Sequence, residues 1–275
     1  METGLSYFYP VLLHGDFMNN YIIAADIGNT NTHVGLINCA SRSILSLDIF
    51  PSGEINKRLI ESIASLSQSM KHAAPVPVVV SSVLSPIEKQ FSDSLSKAVD
   101  GKVSWVKYDP KLPVRVHYQD PLRLGADRLV NCVYGFYSAK ERDLIIIDAG
   151  TAIKVDYVNA GGEFMGGVIL PGLTMQLQSL HDKTSLLPLV DPGEVGIEFP
   201  GLTTESCILG GVRLGIAGAL SFLVEKYRIQ FNKDAAVLTT GGSWKYVQEY
   251  VRFTFEYIPE LTLVGCALYE QSLSL

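Results

Sequence analysis

Apolar and polar positions along the chain follow two periods, and the switches between them mark out its elements. Tyr21-Ile22-Ile23-Ala24-Ala25 is a short apolar run rich in strand formers that ends on Asp26. A polar turn, Gly28-Asn29-Thr30-Asn31-Thr32, follows before Val34-Gly35-Leu36-Ile37 opens a second strand, so residues 26–50 predict two or three strands on short turns. Over residues 54–70, Ile55, Leu59, Ile63, Leu66 and Met70 recur at helical spacing with a polar opposite face. Pro75 and Pro77 lead into Val78-Val79-Val80, a buried strand; residues 86–99 read as a second amphipathic helix and 103–108 as another strand.

Three strands, helix, strand, helix, strand is the order of one half of an actin-like nucleotide-binding fold. Residues 112–121 are irregular and proline-rich, and 125–138 predict a helix with Leu129, Cys132, Val133 and Phe136 inward. The opening pattern then returns. Leu144-Ile145-Ile146-Ile147 ends in Asp148, a turn Ala149-Gly150-Thr151-Ala152 follows, and strands are expected over 153–158 and 163–170. Two strand–Asp-x-Gly units, each with a Thr one or two residues after the Gly and about 120 residues apart, point to an internally duplicated fold, two lobes each presenting a phosphate-holding turn. After Pro171-Gly172 come a helix over 173–181, a loop over 182–200 and a long helix over 204–228. The glycines of that long helix suit close packing, a second subunit included. A strand over 235–240 then meets Gly241-Gly242-Ser243, and helices over 244–251 and 261–273 close around a strand at 253–257.

Composition narrows the class. With 275 residues, 47% hydrophobic and 18% charged, the chain suits one large domain or two packed lobes rather than disorder. A net charge of -6 argues against a nucleic-acid partner. Cys39, Cys132, Cys207 and Cys266 lack metal-ligand spacing and read as buried apolar residues in a reducing compartment. No apolar run is expected to span a bilayer, and residues 1–17 read as an N-terminal extension rather than a signal peptide, which predicts a cytoplasmic protein.

The candidate chemistry sits at the turns. Gly28 lets backbone N–H groups approach an anion, the hydroxyls of Thr30 and Thr32 suit phosphate oxygens, and Asp26 suits Mg²⁺; an ordinary hairpin with an exposed Asp has the same residues. The Gly241-Gly242 turn would let backbone lie flat against an adenine, or is a plain connection. Asp127-Arg128 read by themselves are a solvated ion pair at a helix start. The five histidines form no ligand pattern, although His33 lies near enough to the first turn to touch phosphate.

Taken together, DIGNTNT at Asp26–Thr32, GADRL at Gly125–Leu129, DAGTA at Asp148–Ala152 and the Gly166–Leu173 segment resemble the type III pantothenate kinases of the sugar kinase/Hsp70/actin superfamily. The resemblance implies an α/β, two-lobed actin-like (ribonuclease H-like) duplicated fold with mixed sheets flanked by helices, the lobes covering residues 18–115 and 116–275. It implies ATP-dependent phosphorylation of pantothenate to 4'-phosphopantothenate, the first step of coenzyme A synthesis, with Mg²⁺ and a monovalent cation (K⁺ or NH₄⁺). Asp26, Gly28, Asn29, Thr30 and Thr151 would hold ATP phosphates and Asp148 the monovalent cation. Asp127 would be the catalytic base, and Tyr118, Gly125 and Arg128 would bind pantothenate. Thr204 would reach it from a partner subunit, in a homodimer whose active site lies at the interface.

The chain departs from the family pattern at Asp120-Pro121, where Asn-Pro is usual, and at Ile153-Lys154, where threonine is favoured. A lysine beside the cation turn is expected to replace or weaken the monovalent-cation requirement. Two other readings stay open: a non-catalytic regulatory protein on the same fold, and a superfamily kinase or phosphatase for another small hydroxyl compound.

Overall fold

The computed structural model describes residues 20–70, 75–84, 86–139, 141–193 and 197–274. The expected extension at residues 1–17 lies outside them. Its described residues form two compact units, one within residues 20–107 and 262–274 and the other within 108–261.

In the first unit, β1 (Tyr21–Ile27), β2 (Asn31–Asn38) and β3 (Ser43–Pro51) form an antiparallel meander, followed by α1 (Ile55–Ser69), β4 (Val78–Ser82), α2 (Ile87–Ala98) and β5 (Val103–Trp105). The sheet order is β3-β2-β1-β4-β5, with β4 parallel to both β1 and β5. β1 and β4 are near-continuous apolar runs because a central strand is covered on both faces. α1 turns Ile55, Leu59 and Ile63 inward, one face at i, i+4, i+8, onto Ile23, Ala25, Val78 and Val80 of the sheet.

The second unit repeats this plan. β6 (Arg115–Val116) and α3 (Ala126–Ser138) precede β7 (Leu144–Ala149), β8 (Ala152–Val158) and β9 (Glu163–Pro171). Then come α4 (Leu173–Asp182), α5 (Thr204–Gln230), β10 (Ala236–Thr240) and β11 (Glu256–Tyr257). The order β11-β10-β7-β8-β9-β6 reproduces the first sheet strand for strand, with β6 added in parallel beyond β9. The parallel partners correspond as well: β7 pairs β10 as β1 pairs β4, and β10 pairs β11 as β4 pairs β5. This equivalence in topology is the duplication that the two short motifs foretold.

The units divide at 107/108, and the closing helix α6 (Leu261–Leu273) belongs from Thr262 onward with the first unit. Leu263 lies against Gly35 of β2, and the Tyr269 hydroxyl donates to the Lys107 carbonyl. α6 is apolar nearly all round, so its sequence did not say which sheet it would cover. The helix expected over 244–251 is a single 3₁₀ turn at Trp244–Tyr246 followed by further i→i+3 turns. Fully buried Trp244, edge-on to Phe255 at 4.8 Å, anchors that segment. Cys207 is exposed, whereas Cys39, Cys132 and Cys266 are buried as expected. Finally, α5 is long and apolar enough to cross a membrane by length and composition, although half of its apolar window is buried in the protein.

On α5, Gly210 packs against Ile197, but around Gly211, Gly215 and Gly218 there is open space. Packing within the described chain therefore accounts for one of these glycines and not for the other three.

Candidate active site

Each unit presents its hairpin turn. In the first, Ile27 pairs with Thr32 and Asp26 with His33, which puts the acid and the imidazole on one face of the sheet. Gly28 N–H closes the tip onto the Asn31 carbonyl at 3.1 Å, leaving Asn29 and Thr30 exposed. The tip is braced from β3's end: Ser52 Oγ donates to the Gly28 carbonyl at 2.7 Å, and Ser52 N–H donates to the Thr30 carbonyl at 2.8 Å. Thr32, expected to offer its hydroxyl to phosphate, is instead fully buried and hydrogen-bonded to Ser52 Oγ at 3.0 Å. A strand residue opposite Ile27 must face the core, and the alternation sends Thr32 inward with it.

In the second unit, Asp148 stands opposite Lys154, and Gly150-Thr151 form the tip. Two other segments clasp this turn. Gly172 N–H donates to the Thr151 carbonyl at 3.0 Å, and a Cβ on Gly172 would come within 2.3 Å of the Gly150 and Thr151 carbonyl oxygens. Gly241, at φ +93, packs its α-carbon onto the Ala149 backbone, where a Cβ would meet carbonyl carbon at 2.5 Å. Contact with β7 by itself requires glycine at 241, while Gly242 has open space.

α3 delivers the next groups. Gly125 is its N-cap and Asp127 sits in the first turn, where a carboxylate suits the helix dipole. Asp127 Oδ1 accepts the Arg128 N–H at 2.8 Å, and a Cβ at Gly125 would crowd that oxygen at 2.7 Å. Both Asp127 and Arg128 are buried, so they are not a solvated ion pair. Asp127 Oδ2 lies 2.6 Å from Lys154 Nζ, which is also 2.7 Å from Asp148 Oδ2. One ammonium therefore joins the base candidate of α3 to the acid of β7. Burial works against the Lys154 charge, but Asp148 and Asp127 outweigh it and raise its pKa well above the ordinary lysine value.

Arg128 grips Asp156 of β8 in a fork, Nε to both carboxylate oxygens at 3.1 and 3.2 Å and Nη2 to Oδ1 at 2.5 Å. Burial pushes the Asp156 carboxyl upward, with Asp127 and Asp148 adding to it and Arg128 opposing; Arg128 itself is held more firmly protonated, since Asp156 and Tyr118 outweigh its burial. We take the pair as ionised, because a guanidinium keeps its proton and the fork geometry is that of a charge pair. The Tyr118 and Phe164 rings flank the guanidinium at 5.9 and 5.3 Å and meet each other edge-on. Beyond it, buried Cys132 has its thiol pKa raised by desolvation, which makes it an inert packing group.

The structure thus brings Tyr118, Gly125, Asp127, Arg128 and Asp148 together in the second unit. Thr204 is exposed at the first position of α5, which Thr203 and Ser206 cap reciprocally. Sequence reasoning missed Ser52, Phe164, Asp156 and the bridging contact of Lys154. Among the described residues no group of three or more ligating side chains forms a metal site. Mg²⁺ commonly takes one or two carboxylates plus substrate phosphates, so Asp26 fits that ion. A monovalent cation at Asp148 fits these residues poorly, because the Lys154 ammonium already lies 2.7 Å from its Oδ2 and would repel a second cation there.

The family model for type III pantothenate kinase matches residues 22–226. A type III pantothenate kinase from Syntrophotalea carbinolica is 31% identical over 247 residues, covering 89% of this chain and 96% of that protein. Among solved structures, a conserved Baf family protein from Campylobacter jejuni superposes with TM-score 0.57 at 18% identity, covering 92% of this chain and all (100%) of that one. The polyphosphate/ATP-glucomannokinase from an Arthrobacter strain gives 0.51 at 15% identity, covering 94% and 100%. These likenesses agree with the duplicated actin-like fold, and the sequence match over most of the chain decides its membership: it belongs to the type III pantothenate kinase family.

Proposed function

We infer that this chain phosphorylates pantothenate with ATP, giving 4'-phosphopantothenate and ADP in coenzyme A biosynthesis. The observation that carries the reading is the buried Asp127 carboxylate of the GADRL segment, held by the Arg128 N–H and Lys154 Nζ. Phosphoryl transfer asks a protein for positioning and charge compensation more than for covalent chemistry. Asp127 accepts the proton of the pantothenate hydroxyl as its oxygen bonds to the γ-phosphorus and the bond to ADP breaks. Mg²⁺, when bound with ATP, offsets phosphate charge, and Asp26 is the residue that would hold it.

Gly28, Asn29, Thr30 and Thr151 are assigned to the phosphates, since the exposed tip at Asn29-Thr30 presents backbone and hydroxyl donors. Gly125, Tyr118 and Arg128 are assigned to pantothenate. Asp156 occupies the Nε–Nη2 edge of Arg128, so the pantothenate carboxylate would meet the other edge beside Tyr118. We further assign a homodimer in which Thr204 serves the partner's site. The exposed stripe Gly211, Gly215, Gly218, Phe222 and Ile229 on α5 supports it, being open, narrow and apolar. The net charge of -6 supports a reading without nucleic acid, and we place the enzyme in the cytoplasm without a membrane partner.

The test is a coupled ADP-release assay of the purified full chain with pantothenate beside related hydroxy acids. Turnover selective for pantothenate is expected; release that ignores pantothenate, or prefers another alcohol, overturns the assignment.

A further inference from the structure

The surroundings of the Asp148 turn depart from the cation site that the resemblance implies. We propose that Lys154 is a built-in cation, which takes over at the Asp148 turn the place of a dissolved monovalent ion and positions Asp127 for the reaction. The proposal rests on the reading of Asp127 as the base of a pantothenate kinase.

Three observations carry it. The β7–β8 register sets residue 154 opposite Asp148 on the same face, so a side chain there is aimed at that carboxylate whatever its chemistry. The lysine stem is long enough to reach α3 as well, and its Nζ makes ion pairs of 2.6 Å with Asp127 and 2.7 Å with Asp148. All three side chains are well enclosed, with relative exposures of 19% for Lys154, 8% for Asp127 and 13% for Asp148. An ammonium has three N–H donors, so one group can serve both carboxylates at once.

A threonine at this register could not do this. Its side chain ends at Cγ2 and Oγ1, short of α3, and carries no charge; Asp127 and Asp148 would then face each other with nothing between them but whatever cation the solution supplied. A charge on the chain is present at full occupancy at any salt concentration. A dissolved ion brought to the same oxygens would meet a like charge in a site of low dielectric. Asp127 consequently keeps its orientation without K⁺.

The experiment compares the full-length wild type, Lys154→Thr and Lys154→Arg in choline chloride, KCl and NH₄Cl at equal ionic strength. ADP release with pantothenate and the melting temperature are both read. For the wild type, turnover is expected to agree within about twofold across the three salts, with no cation-specific change in melting temperature. Lys154→Thr is expected to lose turnover in choline on the order of a hundredfold. KCl should restore part of that turnover and raise the variant's melting temperature relative to choline; Lys154→Arg should remain indifferent to the salt.

Stimulation of the wild type by K⁺ of about tenfold or more overturns the proposal. So does a folded Lys154→Thr protein that no monovalent cation rescues in either readout, since the lysine would then be a structural group only. Absence of turnover with pantothenate in every salt counts against the kinase reading instead. The melting temperatures still decide the cation question in that case.

Discussion

Gly167 faces Asp156 across the β8–β9 ladder, and a Cβ on it would fall 1.9 Å from Asp156 Oδ1 and 2.7 Å from Arg128 Nη2. The ion pair between α3 and β8 therefore occupies the volume that any other residue at 167 would fill. Gly167→Ala should force the fork apart and leave both charges buried without good partners, at a cost of about 3–5 kcal/mol. Urea denaturation measures it, with Gly53→Ala as control: a Cβ at Gly53 meets nothing within 4 Å, and its stability should stay within about 0.5 kcal/mol of wild type.

Asp127→Asn keeps the shape of the side chain and its contact with the Arg128 N–H while removing the proton acceptor. Turnover should fall by a factor on the order of 10²–10⁴ with ATP binding nearly unchanged, while the melting temperature drops because Lys154 loses one of its two enclosed partners. Single-turnover kinetics together with nucleotide titration separate these effects, and retained turnover would remove Asp127 from its role.

Gly125→Ala tests orientation rather than chemistry. The added methyl would lie 2.7 Å from Asp127 Oδ1, and the carboxylate, as the movable partner, has to swing away. The backbone at φ -57 tolerates alanine. Stability should hold while kcat drops on the order of a hundredfold, with a smaller change in KM for ATP than for pantothenate.

Acid stability should depend in part on Asp143. Burial opposes its charge, but the Tyr157 hydroxyl at 2.6 Å and the Ala160 N–H at 2.7 Å, with Asn232, lower its pKa below 3.8. A carboxyl lowered in the folded state stabilises fully above its unfolded value and loses that contribution as pH falls through the folded one. The stability advantage of wild type over Asp143→Asn should be constant near neutrality and shrink below about pH 3.8, as denaturation at a series of pH values would show.

Both hairpins and the duplication could be read from the chain because a buried strand ending in Asp-x-Gly with a Thr close behind is a local pattern, complete within a dozen residues. β6 could not: its two residues matter only through pairing with β9, nearly 50 positions away. The same holds within the site. Lys154 stood out as a departure, yet its contact with Asp127 depends on where α3 lies against β8. Asp156 gave no signal at all, since its partner Arg128 is 28 residues distant in sequence. The segment at Trp244 was misread because an amphipathic spacing of apolar residues also fits a 3₁₀ turn pinned by one large ring.

The two turns also differ in what restrains them. Around Gly28 and Thr30 the restraint from outside the hairpin includes the hydroxyl and amide of Ser52. At Gly150-Thr151 it comes from main chain pressed in from two remote segments, at Gly172 and Gly241. Loss of a single hydroxyl can loosen the former; the latter gives way only if a sheet edge or a helix entrance moves. The molecule is accordingly built with one pliant turn and one stiff one, and amide exchange should be quick at Gly28 and slow at Gly172.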